Sequence, residues 1–104
     1  MEKYDLIHGQ LHLEGFSSEA KWIHPAPLDP VDILACHDSE YWTKIQTGRW
    51  SRAEERRSGF PWSDALIIRE SIIMKGTLEC ALEAEQGGIG LNIAGGTHHA
   101  FSSQ

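Results

Sequence analysis

Apolar side chains recur at helical spacing near the start of the chain. Tyr4, Ile7 and Leu11 lie three and four positions apart within residues 3–14, and Gly15 follows them. These spacings bring side chains to one face of a helix, and glycine commonly ends helices. The pattern therefore predicts a short amphipathic helix over residues 3–14.

Two further short helices are predicted in the middle of the chain. Residues 38–48 begin with Asp or Ser as a cap and end at a glycine, and residues 51–59 begin with a capping serine followed by two glutamates. Capping residues of these types favour helix starts. The three prolines at positions 25, 27 and 30 predict an extended loop ahead of these helices.

The longest helical signal covers residues 64–86. It starts at Ser63 or Asp64, carries apolar residues on most sides and ends before Gly87 and Gly88. A helix that is apolar almost all round is expected to be covered by other parts of a protein. Here the cover that it needs is more than a chain of 104 residues comfortably supplies.

Two short apolar runs predict buried strands. Residues 32–37 (DILACH) and 89–94 (IGLNIA) lack polar alternation, which is typical of strands covered on both faces in a parallel sheet. The order helix, strand, helix, helix, strand predicts an α/β fold with the helix over 64–86 packed on the sheet. Because two parallel strands alone would be unusual, further strands are expected.

Composition and charge restrict the classes of function. The 104 residues suit one domain, and 40% hydrophobic and 23% charged residues are typical of an ordinary soluble protein. No apolar run approaches the roughly 18 residues of a membrane span, and no signal-peptide core follows the charged start. We therefore expect no membrane partner and a cytoplasmic location. The net charge of −6 argues against nucleic acid as a partner.

Isolated basic and thiol groups add little to this picture. The arginines at positions 49, 52, 56 and 57 are interrupted by two glutamates, which favours a solvated helix face over a binding patch. Cys36 and Cys80 form no CxxC pair and lie in apolar surroundings. They are predicted to be buried free thiols.

The segment richest in chemistry, Gly95-Gly96-Thr97-His98-His99, follows the predicted strand over 89–94. Ligands of open α/β sheets bind at the carboxyl ends of strands, and glycines let backbone pass close to a substrate. Two imidazoles there could provide acid–base catalysis, ligate a metal ion or be ordinary loop histidines. The residue types alone leave these three alternatives open.

From about residue 4 onward the chain resembles the histone deacetylase family, including its bacterial deacetylase-like members, and three segments carry the resemblance. They are DILACHDSEYW, GFPWSDALIIRESIIMKGTLECALEA and LNIAGGTHHAFSSQ, the last resembling the tandem-histidine segment of that family. The resemblance implies a three-layer arginase-like fold, with a parallel sheet between helices. Residues 1–104 would form the N-terminal part of that single domain.

The resemblance also implies zinc-dependent hydrolysis of an acetylated small molecule or of acetyl-lysine. His99 would be the general base, His98 its electrostatic neighbour, and Gly95 and Gly96 part of the tunnel that binds the acyl group. The zinc ligands of the family follow the tandem histidines, and none lies before Gln104. We therefore expect this chain alone to be inactive. The alternative is a non-catalytic interaction module that keeps the family fold.

The remaining histidines and the long helix have simpler predictions. His8 and His12 have the spacing of helical zinc sites but no adjacent Glu or third ligand, so they are predicted to be exposed surface histidines. His24 is predicted to be structural in its loop, His37 to pack against the following helix and Asp64 to cap the long helix. The apolar faces of residues 66–82 and 89–94 predict self-association.

Overall fold

The structure is a computed structural model that describes residues 2–15 and 20–94. Across these residues the chain forms helices joined by turns and extended segments, and no strand occurs in either range. The helices are α1 (Glu2–Leu13), α2 (Pro30–Leu34), α3 (Ser39–Gln46), α4 (Arg52–Ser58) and α5 (Asp64–Glu85). The predicted α/β, three-layer arginase-like fold with a parallel sheet is therefore wrong, since the described chain is all-α.

The first predicted strand, over residues 32–37, is replaced by α2 and a turn. Asp29 caps α2, because its carboxylate accepts a 2.9 Å hydrogen bond from the backbone nitrogen of Val31. Pro30 follows at the first helical position, where its fixed φ suits a helix start. A capped start with proline outweighs the β-preference of a run of only four apolar residues.

The second predicted strand, over residues 89–94, is an irregular segment that ends in a turn. Ile89 and Leu91 are 91% and 83% exposed, so neither is buried in a sheet. An apolar run alone does not distinguish a buried strand from an irregular segment with exposed side chains. The prediction failed because no strand partner lies in the described chain.

The predicted helices are confirmed, but the predicted cap of the longest one, Asp64, is wrong. Ser51 and Glu54 form a capping box at the start of α4, each side chain bonding to the backbone of the other. Asp38 caps α3, and Ser63 rather than Asp64 caps α5. Sequence-local hydrogen bonds of this kind can be predicted from residue type and spacing.

The helices pack in a chain of contacts rather than around one core. α2 packs on α3, and α3 packs on α5. The extended segment over residues 20–29 runs antiparallel along α5, with Lys21 bonded to Glu83 at 2.7 Å and the Leu28 nitrogen bonded to the Ser71 carbonyl at 3.1 Å. This segment forms a layer on α5 without secondary structure of its own.

Little apolar surface is buried in the described residues. Ile33 on α2 is the buried hydrophobic residue there, at 4% exposure. The accessible surface of 7820 Å² exceeds the roughly 5800 Å² expected for a folded monomer of this mass. The radius of gyration, 15.7 Å, likewise exceeds the roughly 13 Å of a compact domain of this length. None of the helices over the described ranges is long and apolar enough to cross a membrane.

Candidate functional site

The predicted catalytic and substrate-binding residues fall outside the described ranges. These are His98, His99, Gly95 and Gly96, in a stretch that follows the last described residue, Ala94. Their predicted roles are therefore untested and stay predictions. The structure does describe the segment that leads to them, residues 89–94.

Asn92 attaches this leading segment to α5. Its side-chain amide nitrogen donates one hydrogen bond of 2.9 Å to the Ile73 carbonyl oxygen and another of 3.0 Å to the Thr77 hydroxyl. Its side-chain oxygen accepts a 3.2 Å bond from the Ala94 nitrogen. The side chain of Asn92 thus fixes the position of the segment along α5, and it also bonds within the turn that ends the segment.

Two glycines allow the leading segment and α5 to approach closely. A Cβ at Gly76 would lie 3.1 Å from the amide nitrogen of Asn92, and a Cβ at Gly90 would lie 2.5 Å from the Cys80 carbonyl oxygen. Both positions therefore depend on the absence of a side chain. The contact of Asn92 was not predicted, because an asparagine inside an apolar run is a weak signal before its partners on a helix are known.

His8 and His12 form a second cluster, together with Trp22. The Nε2 atoms of the two imidazoles lie 3.1 Å apart, within hydrogen-bond distance. Trp22 stacks on His12 with 5.4 Å between ring centroids and meets His8 edge-on at 4.7 Å. The prediction of two exposed surface histidines is correct for their exposure, but it missed the contact that brings their nitrogens together.

The other predicted residues are distributed over the surface. His37 packs on Tyr41 at a centroid distance of 5.0 Å, as predicted, and its Nδ1 is buried without a hydrogen-bond partner in the described chain. His24 is exposed in its loop. Cys36 is exposed and Cys80 partly exposed, so the prediction of two buried thiols is wrong.

An ion pair joins α3 to α4 beneath Tyr41. Lys44 donates to the carboxylate of Glu54, and this bond, with the Ser51 backbone bond, holds the pKa of Glu54 below its ordinary value. Burial first, and the negative charge of Glu54 second, raise the pKa of the Tyr41 hydroxyl. These groups already serve as partners in the α3–α4 contact, so we assign them a structural role.

A zinc site of the predicted type is not formed by the described residues. No group of three or more histidine, cysteine, aspartate or glutamate side chains in residues 2–15 and 20–94 could hold a metal ion. Catalytic zinc sites use three protein ligands and one open position. The described donors therefore do not fit a catalytic zinc ion, and the zinc that the resemblance implied, with ligands following Gln104, is not tested by the described residues.

Comparison with known proteins gives one informative relative. No model of a known protein family matches the chain. The chain is similar to an uncharacterized protein of Picosynechococcus sp., with 34% identity over 101 residues. The match covers 97% of this chain and 34% of the relative, so the chain spans about a third of that protein's length.

These comparisons, taken with the helical structure, overturn the predicted membership of the histone deacetylase family. The tandem-histidine pattern that suggested it is short, and the strands that should flank it are absent from the described residues. Three short sequence similarities were therefore insufficient to identify a family. The deacetylase-like and arginase-like descriptions of the fold are wrong for the same reason.

Proposed function

We propose that this chain acts as a helical interaction module, which packs through an apolar surface against further polypeptide of a larger protein. The observation that supports the proposal is the exposure of large apolar side chains beside a core of one buried hydrophobic residue, Ile33, in the described chain. Apolar side chains that a folded chain leaves exposed can serve as interaction sites. A module of this kind needs no chemistry of its own.

The surface lies along α5 and the segment that follows it. Ile68 and Leu82 are 55% and 45% exposed and lie close to one face of α5, because 14 residues make nearly four whole turns. Ile89 and Leu91 are exposed apolar side chains of the segment that Asn92 attaches to α5. We call these four residues the apolar surface.

The occupant of this surface is polypeptide equivalent to the unmatched two-thirds of the Picosynechococcus relative. That relative contains a segment similar to this chain and about twice as much additional sequence. Additional sequence of that length could cover apolar side chains that this chain leaves exposed.

The proposal is tested by mixing the purified chain with a polypeptide that comprises the unmatched part of the relative. Light scattering after size-exclusion chromatography measures complex formation, and calorimetry measures affinity. We expect a one-to-one complex that the double variant Ile89→Lys/Leu91→Lys weakens at least tenfold. The matched control is Leu13→Lys, because Leu13 is 84% exposed on α1 and is not one of the four residues of the apolar surface. Equal weakening by the control would contradict the proposal.

Self-association is the competing outcome of this experiment. If residues 66–82 and 89–94 instead pair two copies of this chain, the free protein will be a dimer at all accessible concentrations. It will then not bind the added polypeptide. That result would replace the proposed partner with a second copy.

Hydrolysis of an acetylated amine by His98 and His99, with zinc, is a second proposal that rests on the sequence alone. It is supported by the Gly-Gly-Thr-His-His pattern, and its general base would be His99. The apolar surface neither requires nor excludes this chemistry, so the two proposals are tested separately. A cytoplasmic location is likewise a proposal from composition, to be tested by imaging a fluorescent fusion.

A further inference from the structure

The His8–His12–Trp22 cluster contains none of the four residues of the apolar surface. His8 and His12 are four residues apart on α1, a spacing that places two side chains on one face of a helix. Both are exposed residues. Their Nε2 atoms are 3.1 Å apart.

We propose that His8 and His12 form a bidentate site for a divalent transition-metal ion. In the metal-free protein one imidazole donates its Nε2–H to Nε2 of the other. A metal ion takes the place of this proton between the two nitrogens. The donating ring then carries its proton on Nδ1 instead, so both rings stay neutral and both Nε2 lone pairs reach the ion.

The distance between the two Nε2 atoms suits the replacement of the shared proton by a metal ion. Bonds from zinc to imidazole nitrogen are about 2.0–2.1 Å long, so two nitrogens 3.1 Å apart would subtend an angle of about 98° at the ion. That angle lies between the square-planar and tetrahedral values. The two nitrogens are therefore already at the separation that two ligands of one ion need.

Trp22 is the positioning residue of the site. It contacts both imidazoles from the extended segment over residues 20–29, stacking on one ring at an interplanar angle of 16° and meeting the other at 77°. Its indole nitrogen is buried without a hydrogen-bond partner in the described chain, so the ring acts by packing. These contacts restrict the imidazole orientations before the ion arrives.

The donor set determines the class of ion. Two neutral imidazoles suit Zn²⁺, Ni²⁺ and Cu²⁺, and affinity for nitrogen ligands rises from Ni²⁺ to Cu²⁺. No third protein ligand joins the pair in the described chain, so water or an external ligand completes the coordination. The site therefore resembles an exchangeable binding site rather than a closed structural one.

The test is calorimetric titration of the protein with Ni²⁺, and separately with Cu²⁺. All variants carry His98→Gln and His99→Gln, which remove the adjacent imidazoles as competing ligands. We expect this background protein to bind one ion, and Cu²⁺ more tightly than Ni²⁺. Adding His8→Gln or His12→Gln should weaken binding at least tenfold, whereas adding His24→Gln, at an exposed loop histidine, should change it less than twofold.

Two results would overturn the proposal. One is loss of binding in the background protein itself, which would assign the ion to the tandem histidines. The other is equal weakening by His24→Gln and His8→Gln, which would indicate non-specific binding to surface histidines. As a second readout, Cu²⁺ should quench tryptophan fluorescence in the background protein, and Trp22→Phe should remove most of that quenching. Quenching that is unchanged by Trp22→Phe would place the ion elsewhere.

Discussion

The side-chain amide of Asn92 donates a 2.9 Å hydrogen bond to the backbone carbonyl of Ile73, nineteen positions earlier in the chain. This bond joins the irregular segment after α5 to the middle of that helix. A second bond from the same nitrogen reaches the Thr77 hydroxyl. The side chain of Asn92 therefore attaches the segment to the helix.

We expect Asn92→Asp to destabilise the protein by about 1–2 kcal/mol, because the new side chain loses both donated bonds and keeps only its acceptor. Urea unfolding followed by circular dichroism measures the change. Gln10→Ala, on the exposed side of α1, is the control and should change the free energy of unfolding by less than about 0.5 kcal/mol. Equal stability of Asn92→Asp and the wild-type protein would show that the attachment is not formed in solution.

A second prediction concerns the close approach of Gly90 to α5. In Gly90→Ala the new Cβ would lie 2.5 Å from the Cys80 carbonyl oxygen, so the segment must move. We expect a loss of about 1–3 kcal/mol from this overpacking. The matched control is Gly9→Ala within α1, where nothing lies within 4 Å of the new Cβ. That change should stabilise the helix by about 0.5–1 kcal/mol. Thermal unfolding measures the change in stability of both variants. A change of the same sign in the two variants would contradict this prediction.

Gly48 and Gly59 separate backbone strain from steric contact. Both have positive φ, at 71° and 81°, but a Cβ at Gly48 would lie 3.2 Å from the Trp62 ring whereas a Cβ at Gly59 meets nothing within 4 Å. Alanine at Gly59 should cost about 1–2 kcal/mol from the left-handed conformation alone. Alanine at Gly48 should cost more, because Trp62 must also move. Chemical denaturation of the two variants measures this difference, and equal losses would mean that the ring yields freely.

How much of the fold the sequence predicts depends on the range of the interactions. The caps at Ser51 and Asp38 involve residues at most three positions apart, so residue type and spacing were enough to predict α3 and α4. The segment over residues 89–94 is held by a contact nineteen positions away, and its apolar composition alone suggested a strand. Strand formation depends on a partner, which periodicity cannot reveal.

In the candidate sites, too, features local in sequence could be recognised, whereas contacts between distant residues could not be predicted. The spacing of His8 and His12 was visible in the sequence, but Trp22, which orients them, comes from a separate extended segment. The side chain of Trp22 reaches the pair only once residues 20–29 lie beside α1. The spacing of the two histidines could therefore be seen in the sequence, but their contact with Trp22 could not be predicted from it.

The pair of Lys44 and Glu54 predicts a specific pH dependence. Because the hydrogen bond from Lys44 lowers the pKa of Glu54 in the folded protein, its stabilisation is present above the ordinary glutamate pKa of about 4.3 and is lost as the pH falls through the lower folded value. We expect the pair to contribute a few tenths to about 1 kcal/mol at neutral pH, since Lys44 is partly exposed.

The measurement compares the wild-type protein with Glu54→Gln at pH 6.5 and below pH 3.5. The wild type should be more stable at the higher pH, and the difference between the two proteins should shrink at the lower pH. Glu14→Gln, at an exposed position of the turn after α1, is the control. A difference that grows as the pH falls would have the wrong sign for a carboxylate with a lowered pKa.

The last prediction concerns catalysis by the chain itself. Metal, general base and carbonyl-polarising group act together in zinc hydrolysis, and removing one of them removes most of the rate. The described residues supply no three-ligand zinc site, so His98 and His99 would have to act with ligands from elsewhere. We therefore expect no turnover of an acetyl-lysine peptide by the purified chain with added Zn²⁺. The assay is run beside the His99→Ala variant and beside His24→Ala as a control for surface histidines. Turnover that disappears in His99→Ala and persists in His24→Ala would mean that this chain completes an active metal site, and the interaction-module proposal would then be incomplete.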